Sequence, residues 1–548
     1  MGSIKITESS CQGSQDVVCE KYENTSVSVE SSQVEQPGMD YKFFYTGLLG
    51  KFLTTIEPSK ICVFLAFVDD TFVFTTYGTI ASDFDFGSMG PWLVTTYNLG
   101  FAVMLPLYGR LCDVYGYKYP IQAAYFFFSV GCLMTGLSNS IGLAIAGRFL
   151  SGAGGSGMTD LLVVIINDME TPRKATGLRS YISIIMTIAV PVGAPLGGAL
   201  TGWIGWRWPF IMQVPLSVTC LVMASWRLQA TKGGARGNEE EIRSQTDFNL
   251  QGVFLLGLSV ASIMTICQIF ENLESELVLK VVIPSSIFLA SVVTFAINER
   301  YWTSSPLIPM KLIKTNKIGI MYVAQFILFF SYGGICSHIT EFWIRTKDYG
   351  NSLAAACILP VVFGNVISAF IGSRVVQKTG RYKKVLIACF VVAIVNGALL
   401  AGRWPSRPLF CDLIFYFGLG LGVGGILVCT FTALSISVPS QMTATAMSNY
   451  YLCQQIGLVM GVAVSSAANK TIFKDFLFQD IPNSTEKSKV IGHILNNLRF
   501  ASGFSEPTKS IANNCFLKAF HVIPALTAGT LLMAFVILLS LPEKYIEE

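Results

Sequence analysis

Apolar blocks close to twenty residues long, separated by short polar loops, recur along this 548-residue chain from about residue 59 to residue 541. About twenty apolar residues in a helix cross the ~30 Å hydrocarbon core of a bilayer. Inside that core every backbone N–H and C=O must be paired within the segment, so blocks of this kind are helices. The blocks fall near 59–80, 93–108, 119–138, 141–166, 178–200, 208–226, 249–270, 278–297, 319–340, 353–372, 383–401, 410–432, 444–466 and 517–541. They predict an all-α membrane protein of about fourteen transmembrane helices. With 52% hydrophobic and only 13% charged residues, too little polar surface exists to coat soluble domains. The net charge of +4 gives no basis for a nucleic-acid partner. Nine of the 14 cysteines lie inside the apolar blocks and read as small packing residues. None shows the paired spacing of a metal site, so no metal is expected.

Lysine and arginine set the orientation. Taken alternately, one set of loops holds eighteen of these residues, from Arg110 and Lys118 through Lys383 and Lys384, and the other holds six, including Arg207, Lys280 and Arg345. The positive-inside rule puts the first set, and both termini, in the cytosol. Residues 1–58 are polar and do not start like a cleaved signal, so they are expected to form a disordered cytosolic tail. The remaining division is a six-helix bundle over 59–226, a charged connector over 227–248, an extra helix pair over 249–297 and a cytosolic loop over 298–318. A second bundle over 319–541 and a cytosolic C-terminus over 542–548 complete it. A long non-cytosolic loop, 467–516, carries the glycosylation patterns at Asn469 and Asn483. The halves share a degenerate loop: Gly109, Asp113, Gly116 and Lys118 follow the second block, and Gly372, Gly380, Arg381 and Lys383 follow the tenth. Repeated halves with a site between them are the architecture of secondary transporters.

Glycine, an acid four on, a glycine three further and a base two beyond, here Gly109, Asp113, Gly116 and Lys118, resemble the loop signature of the major facilitator superfamily. Asp69-Asp70-Thr71-Phe72-Val73 in the first block is similar to the opening of that family's fourteen-span drug:proton antiporter branch. Arg148 with Gly152 resembles the family's membrane-buried arginine motif. Gly193, Pro195, Gly197 and Gly198, followed by Gly205-Trp206-Arg207-Trp208-Pro209-Phe210, look like the fungal vacuolar basic amino acid transporters. The resemblance implies two bundles that rock about a central site, proton antiport, and a gate at the Gly109–Lys118 loop.

A charge at the centre of a membrane helix costs ~2.5–3.5 kcal/mol even on permissive scales, so it needs a partner or a task. Rise per residue puts Asp69 about 15 Å from the cytosolic face and Arg148 about 10 Å from the other. The difference in depth is about 5 Å, which long side chains span if the first and fourth helices are neighbours, as the resemblance implies. A proton or a cation that neutralises Asp69 releases Arg148, and this competition couples the two ligands. The plain alternative is a static ion pair that orders the fourth helix. Asp70 faces elsewhere and reads either as a substrate-facing acid or as a residue at a watery cavity edge. Asp160, ~18 Å nearer the cytosol than Arg148, reads either as an acid along a cation's path or as an interfacial side chain. Gln213, Gln325, Asn365, Asn449 and Gln454 are amides that line a cavity or bond helix to helix, and Tyr450 offers an aromatic face or core packing. His338 and Glu341 are three apart at the non-cytosolic end of the ninth block.

Three histidines and no nucleophile–base set argue against an enzyme, and the glycines at 152, 154, 155 and 157 lack the strand and Gly-Lys-Ser/Thr of a nucleotide loop. No cofactor is expected. The expected partners are protons, a small cationic substrate and the lipid bilayer, with a single chain as the working unit. The expected function is proton antiport of lysine, arginine or histidine from cytosol to vacuole, with multidrug or toxic-cation efflux at the plasma membrane as the alternative. A transporter-like nutrient receptor ranks lower, because the cytosolic segments are short.

Overall fold

The computed structural model describes residues 57–84, 89–169, 199–227, 249–272, 277–303, 306–308, 317–347, 351–403, 412–438, 442–481 and 506–540, with isolated positions at 178–197, 313 and 487–494. The tail, the connector, Asn483, Pro195 and Gly198 lie outside the described residues, as does the Asp113 side chain. Helices occupy thirteen of the fourteen apolar blocks, and the described positions of the fifth, between 178 and 204, are helical as well. They are α1 (Glu57–Asp83), α2 (Gly90–Tyr115), α3 (Lys118–Gly136), α4 (Ile141–Met169), α5 (Arg207–Arg227), α6 (Leu250–Asn272) and α7 (Leu277–Ile297) in the first part of the chain. The rest holds α8 (Ile318–Lys347), the short α9 (Asn351–Ala356), α10 (Leu359–Thr379), α11 (Lys383–Arg403), α12 (Asp412–Ser437), α13 (Thr443–Asp480), α14 (Glu506–Phe520) and α15 (Val522–Leu539). Among the described residues nine helical stretches are long and apolar enough to cross a bilayer. The face carrying the α2–α3 loop, rich in lysine and arginine, is called the basic face below, and the opposite one the far face.

The same close crossing occurs in both halves. A Cβ on Gly100 of α2 would strike the Phe149 carbonyl of α4, and one on Gly152 would strike the Tyr97 carbonyl in return. In the second half Gly364 of α10 meets the Phe417 carbonyl of α12, and Gly420 meets the Val361 carbonyl. With no hydrophobic drive between helices in lipid, backbone-to-backbone contact of this kind supplies the packing energy. Both α2 and α10 then end on a glycine in the left-handed region, Gly116 at φ 74° and Gly380 at φ 66°, whose N–H groups reach back to Cys112 and Val376 carbonyls at 2.9 Å. Only glycine takes that conformation without a steric penalty.

Three boundaries depart from the sequence expectation. The tenth helix begins at Leu359 because Pro360 fits the first turn of a new helix, and 351–356 forms the separate α9. The stretch 298–302, expected as loop, is a π-helical turn continuing α7. Most of all, α13 runs 38 residues to Asp480, about 57 Å, well past the apolar block. Its extension keeps one buried stripe, Asn469, Phe473 and Leu477. Phe473 meets Phe516 of α14 edge-on at 5.4 Å. Asn469 is 2% exposed in that stripe, a position that leaves no room for a sugar chain in the folded protein.

Candidate functional site

α1 and α4 pack together, and α5 closes on α1 from the side. That arrangement brings Asp69 and Arg148 into contact: Arg148 Nη1 donates to Asp69 Oδ2 at 2.6 Å, with both side chains fully buried. Gln213 of α5 donates from Nε2 to the other carboxylate oxygen, Oδ1, at 3.2 Å. The guanidinium is held further by the Leu93 carbonyl, which accepts from Nε at 3.4 Å, and by the Tyr97 ring, whose centroid lies 4.4 Å away. Tyr97 is itself fixed by its hydroxyl, which donates to the Ala66 carbonyl of α1 at 3.1 Å. A charge-assisted bond in so dry a place is short and strong.

The pair is not saturated. Arg148 Nη2, Gln213 Oε1 and Asp70 Oδ1 are buried without a hydrogen-bond partner. Asp70 lies within electrostatic reach of both Arg148 and Asp69. Buried polar atoms normally find partners. Three orphans around one ion pair therefore mark a polar spot able to take a further donor or acceptor. Asp160 is 4% exposed, deep in α4 towards the basic face rather than at its surface.

The other sequence candidates separate into smaller groups. Gln325 of α8 donates to Gln454 of α13 at 3.1 Å, and Gln325 Oε1 is left over. Asn365 bonds the Tyr332 hydroxyl. Tyr450 is completely buried, hydrogen-bonded to Thr430 of α12 at 2.8 Å, and belongs to the core rather than to a cavity wall. Asn449 donates to the Leu307 carbonyl at 3.2 Å. His338 of α8 is buried, its Nδ1 2.9 Å from the Gly334 carbonyl, beside the Glu341–Arg345 ion pair of 2.8 Å.

The halves meet where α2 packs on α13. Gln455 donates to Asn98 at 2.5 Å, Leu452 joins Ala102 and Leu105 in one apolar cluster, and a Cβ on Gly109 would lie 2.6 Å from Ser448 Oγ. This contact follows α2 for about 16 Å, so the seam is shut from mid-depth to the basic face. The loop signature now has physical content: Gly109 admits α13, Gly116 turns the chain, and Lys118 opens α3. Two contacts between helices escaped sequence reasoning. One is Asn98–Gln455, where Gln455 stands beside the chosen Gln454. The other is Asp83 at the far face, which accepts from Trp206 Nε1 at 3.2 Å and Arg207 Nη1 at 2.9 Å and so fixes the start of α5 to the end of α1. The Trp-Arg pair at a helix start was the available signal.

A helical membrane chain with matching crossings in its two halves, a shut seam between them and an ion pair at mid-depth has the form of a secondary transporter. The sequence matches the Major Facilitator Superfamily over residues 61–462, and the chain belongs to that family of transporters, which are not enzymes. Among similar proteins, the vacuolar membrane amino acid uptake transporter fnx2 of Schizosaccharomyces pombe is 24% identical over 481 residues, 86% of this chain and 82% of that protein. Multidrug resistance protein fnx1 of the same yeast is 24% identical over 489 residues, 88% of this chain and 91% of its own length. Vacuolar basic amino acid transporter 1 of Saccharomyces cerevisiae is 22% identical over 501 residues, 83% and 84% of the two chains. The crystal structure of the human organic anion transporter MFSD10 superposes with a TM-score of 0.57 at 11% identity, covering 88% of this chain and 99% of that one, a likeness of fold.

Proposed function

We propose that this transporter exchanges protons for cationic amino acids across the vacuolar membrane, loading lysine, arginine or histidine from the cytosol. The observation that carries the reading is the Asp69–Arg148 pair, sealed from solvent yet ringed by three unpartnered polar atoms. A proton on Asp69 removes the attraction that holds Arg148, and a bare Asp69 restores it, so protonation biases one bundle arrangement against the other. Gln213 orients the carboxylate. Asp70 and Asp160 give the first bundle further negative charge for a cation, while Gln325 and Gln454 supply neutral hydrogen-bonding groups from the second. Residues 59–226 and 319–541 are the two bundles, with 249–297 as the extra pair in a fourteen-span chain. The basic face is the cytosolic one, both termini lie there, and the Gly109–Lys118 loop is its gate. The shut seam then corresponds to the state that faces the lumen. Names of two similar yeast proteins, vacuolar amino acid and vacuolar basic amino acid transporters, support the substrate and the organelle.

The alternative, efflux of toxic cations at the cell surface, draws support from the similar multidrug resistance protein. Vesicles with an acidic interior decide between them. Labelled lysine is expected to accumulate and to leave when a protonophore collapses the gradient, while ethidium stays outside. Ethidium accumulation without lysine would establish the alternative. The tagged protein is expected at the vacuolar membrane.

A further inference from the structure

The extra helix pair ends at the basic face in a buried polar cluster that the transport reading leaves unused. Asn249, the cap of α6, accepts from the Gly252 N–H at 2.8 Å and from Asn298 Nδ2 at 2.9 Å, and donates to Glu299 Oε1 at 2.8 Å. The other oxygen of Glu299 accepts from the Ile308 N–H at 3.1 Å, and the carboxylate also takes a backbone bond from Leu307. Asn249, Asn298 and Glu299 are each less than 10% exposed. A carboxylate so placed is held by the two backbone donors it gathers, and it bends the chain after α7 back towards the bundle seam.

What that bend delivers is specific. Leu307 is 1% exposed, and its carbonyl accepts from Asn449 of α13, the neighbour of Ser448 at the tight contact with Gly109. Ile308 and Phe295 pack against the cluster of Ala102 and Leu105 from α2, Leu256 and Val260 from α6, and Leu452 from α13. Arg110 of α2 interacts electrostatically with Glu299. Elements of both halves, α2 and α13, are thus tied to one short segment belonging to neither.

We infer that residues 306–308 form a latch across the basic-face end of the α2–α13 seam, with Glu299 as the positioning residue that sets it. The inference rests on the alternating-access reading above. Opening the basic face separates α2 from α13, and the Leu307–Asn449 bond and the Ile308 contacts must break for that to happen. The latch favours the shut seam, and the extra helix pair is the anchor from which it acts.

Two measurements on the full chain in sealed vesicles test this. Glu299→Ala is expected to raise, by at least about fivefold, the rate at which a membrane-impermeant maleimide applied to the basic face modifies Cys112, read on its own peptide by mass spectrometry. A rate equal to the parent's overturns the latch. Should Glu299→Ala fail to fold, the pair Ile308→Cys with Leu452→Cys, whose parent side chains share one apolar cluster, leaves the carboxylate cluster intact. Bridging the two with a short bifunctional thiol reagent is expected to stop uptake, and cleaving the bridge to restore it. Uptake at the parent rate with the bridge in place refutes the proposal. Parent vesicles that take up neither lysine nor ethidium would sink the transport reading instead, and the maleimide rate would still report on the seam.

Discussion

Removing Arg148 strands a carboxylate in the middle of the membrane, with the neutral Gln213 amide still donating to it and Asp70 nearby. Breaking a buried pair from one side costs about 3–5 kcal/mol, because the remaining charge stays desolvated. Arg148→Ala is therefore expected to lower the melting temperature in detergent and to abolish uptake. Asp69→Asn is gentler, since the amide oxygen still accepts from Arg148 and the Asp70 carboxyl remains within electrostatic reach of the guanidinium. It should fold and elute as the parent does on size exclusion, while gradient-driven uptake drops to below about a tenth, the loss that ~1.4 kcal/mol of bias produces. Undiminished accumulation by Asp69→Asn would show that protons act elsewhere. Asp69 and Arg148 were legible in the sequence because hydrocarbon tolerates charge only when it is matched. The role of Gln213 was not: the amide stood out, but its partner is 144 positions away and an amide has no sign by which to choose one. Glu299 was passed over for a similar reason, since an acid just beyond an apolar block looks like ordinary loop.

At the level of helices, apolar block length identified the elements and failed where a helix outlives its block. The α13 extension is polar on most of its surface, with Lys470, Lys474 and Asp475 among its residues, and persists because Phe473 and Leu477 bury against neighbours. A hydropathy reading ends where the average falls, whereas a helix ends where its stripe loses cover. Glycine was the better guide to packing, and it separates positions sharply. Gly152→Val would force the α4 backbone off α2 at the Tyr97 carbonyl, an overpacking expected to cost about 1–3 kcal/mol and to displace Tyr97 from the Arg148 guanidinium. Gly142→Ala in the same helix has nothing within 4 Å of the new methyl group. Thermal unfolding followed by tryptophan fluorescence should show a lowered midpoint for the first and none for the second. Equal midpoints would mean that the α2–α4 crossing yields more easily than its backbone contact implies.

Across the whole molecule the two halves share a scaffold and differ in charge. Matching crossings at Gly100/Gly152 and Gly364/Gly420, and matching left-handed glycines at 116 and 380, show one plan used twice. Into that plan the first half places Asp69, Asp70, Arg148 and Asp160 within its spans. Among the described residues of the second half, Arg345 and Asp412, both buried, stand at helix ends on the far face, and the mid-span polar groups include the amides Gln325 and Gln454. An amide cannot carry a proton across at any physiological pH, though it can hold a substrate's ammonium or carboxylate. Under the proposed mechanism the shared scaffold lets both halves move, and the asymmetry divides the labour between them. Gln325→Ala or Gln454→Ala is accordingly expected to raise KM for lysine severalfold while each lysine that enters still releases its protons, followed with a pH-sensitive dye inside the vesicles. Asp69→Asn should do the reverse, leaving lysine-dependent proton release undetectable while counterflow of lysine against lysine continues. If either amide variant abolished proton release as fully as Asp69→Asn, coupling would have to run through the seam as well as through the ion pair.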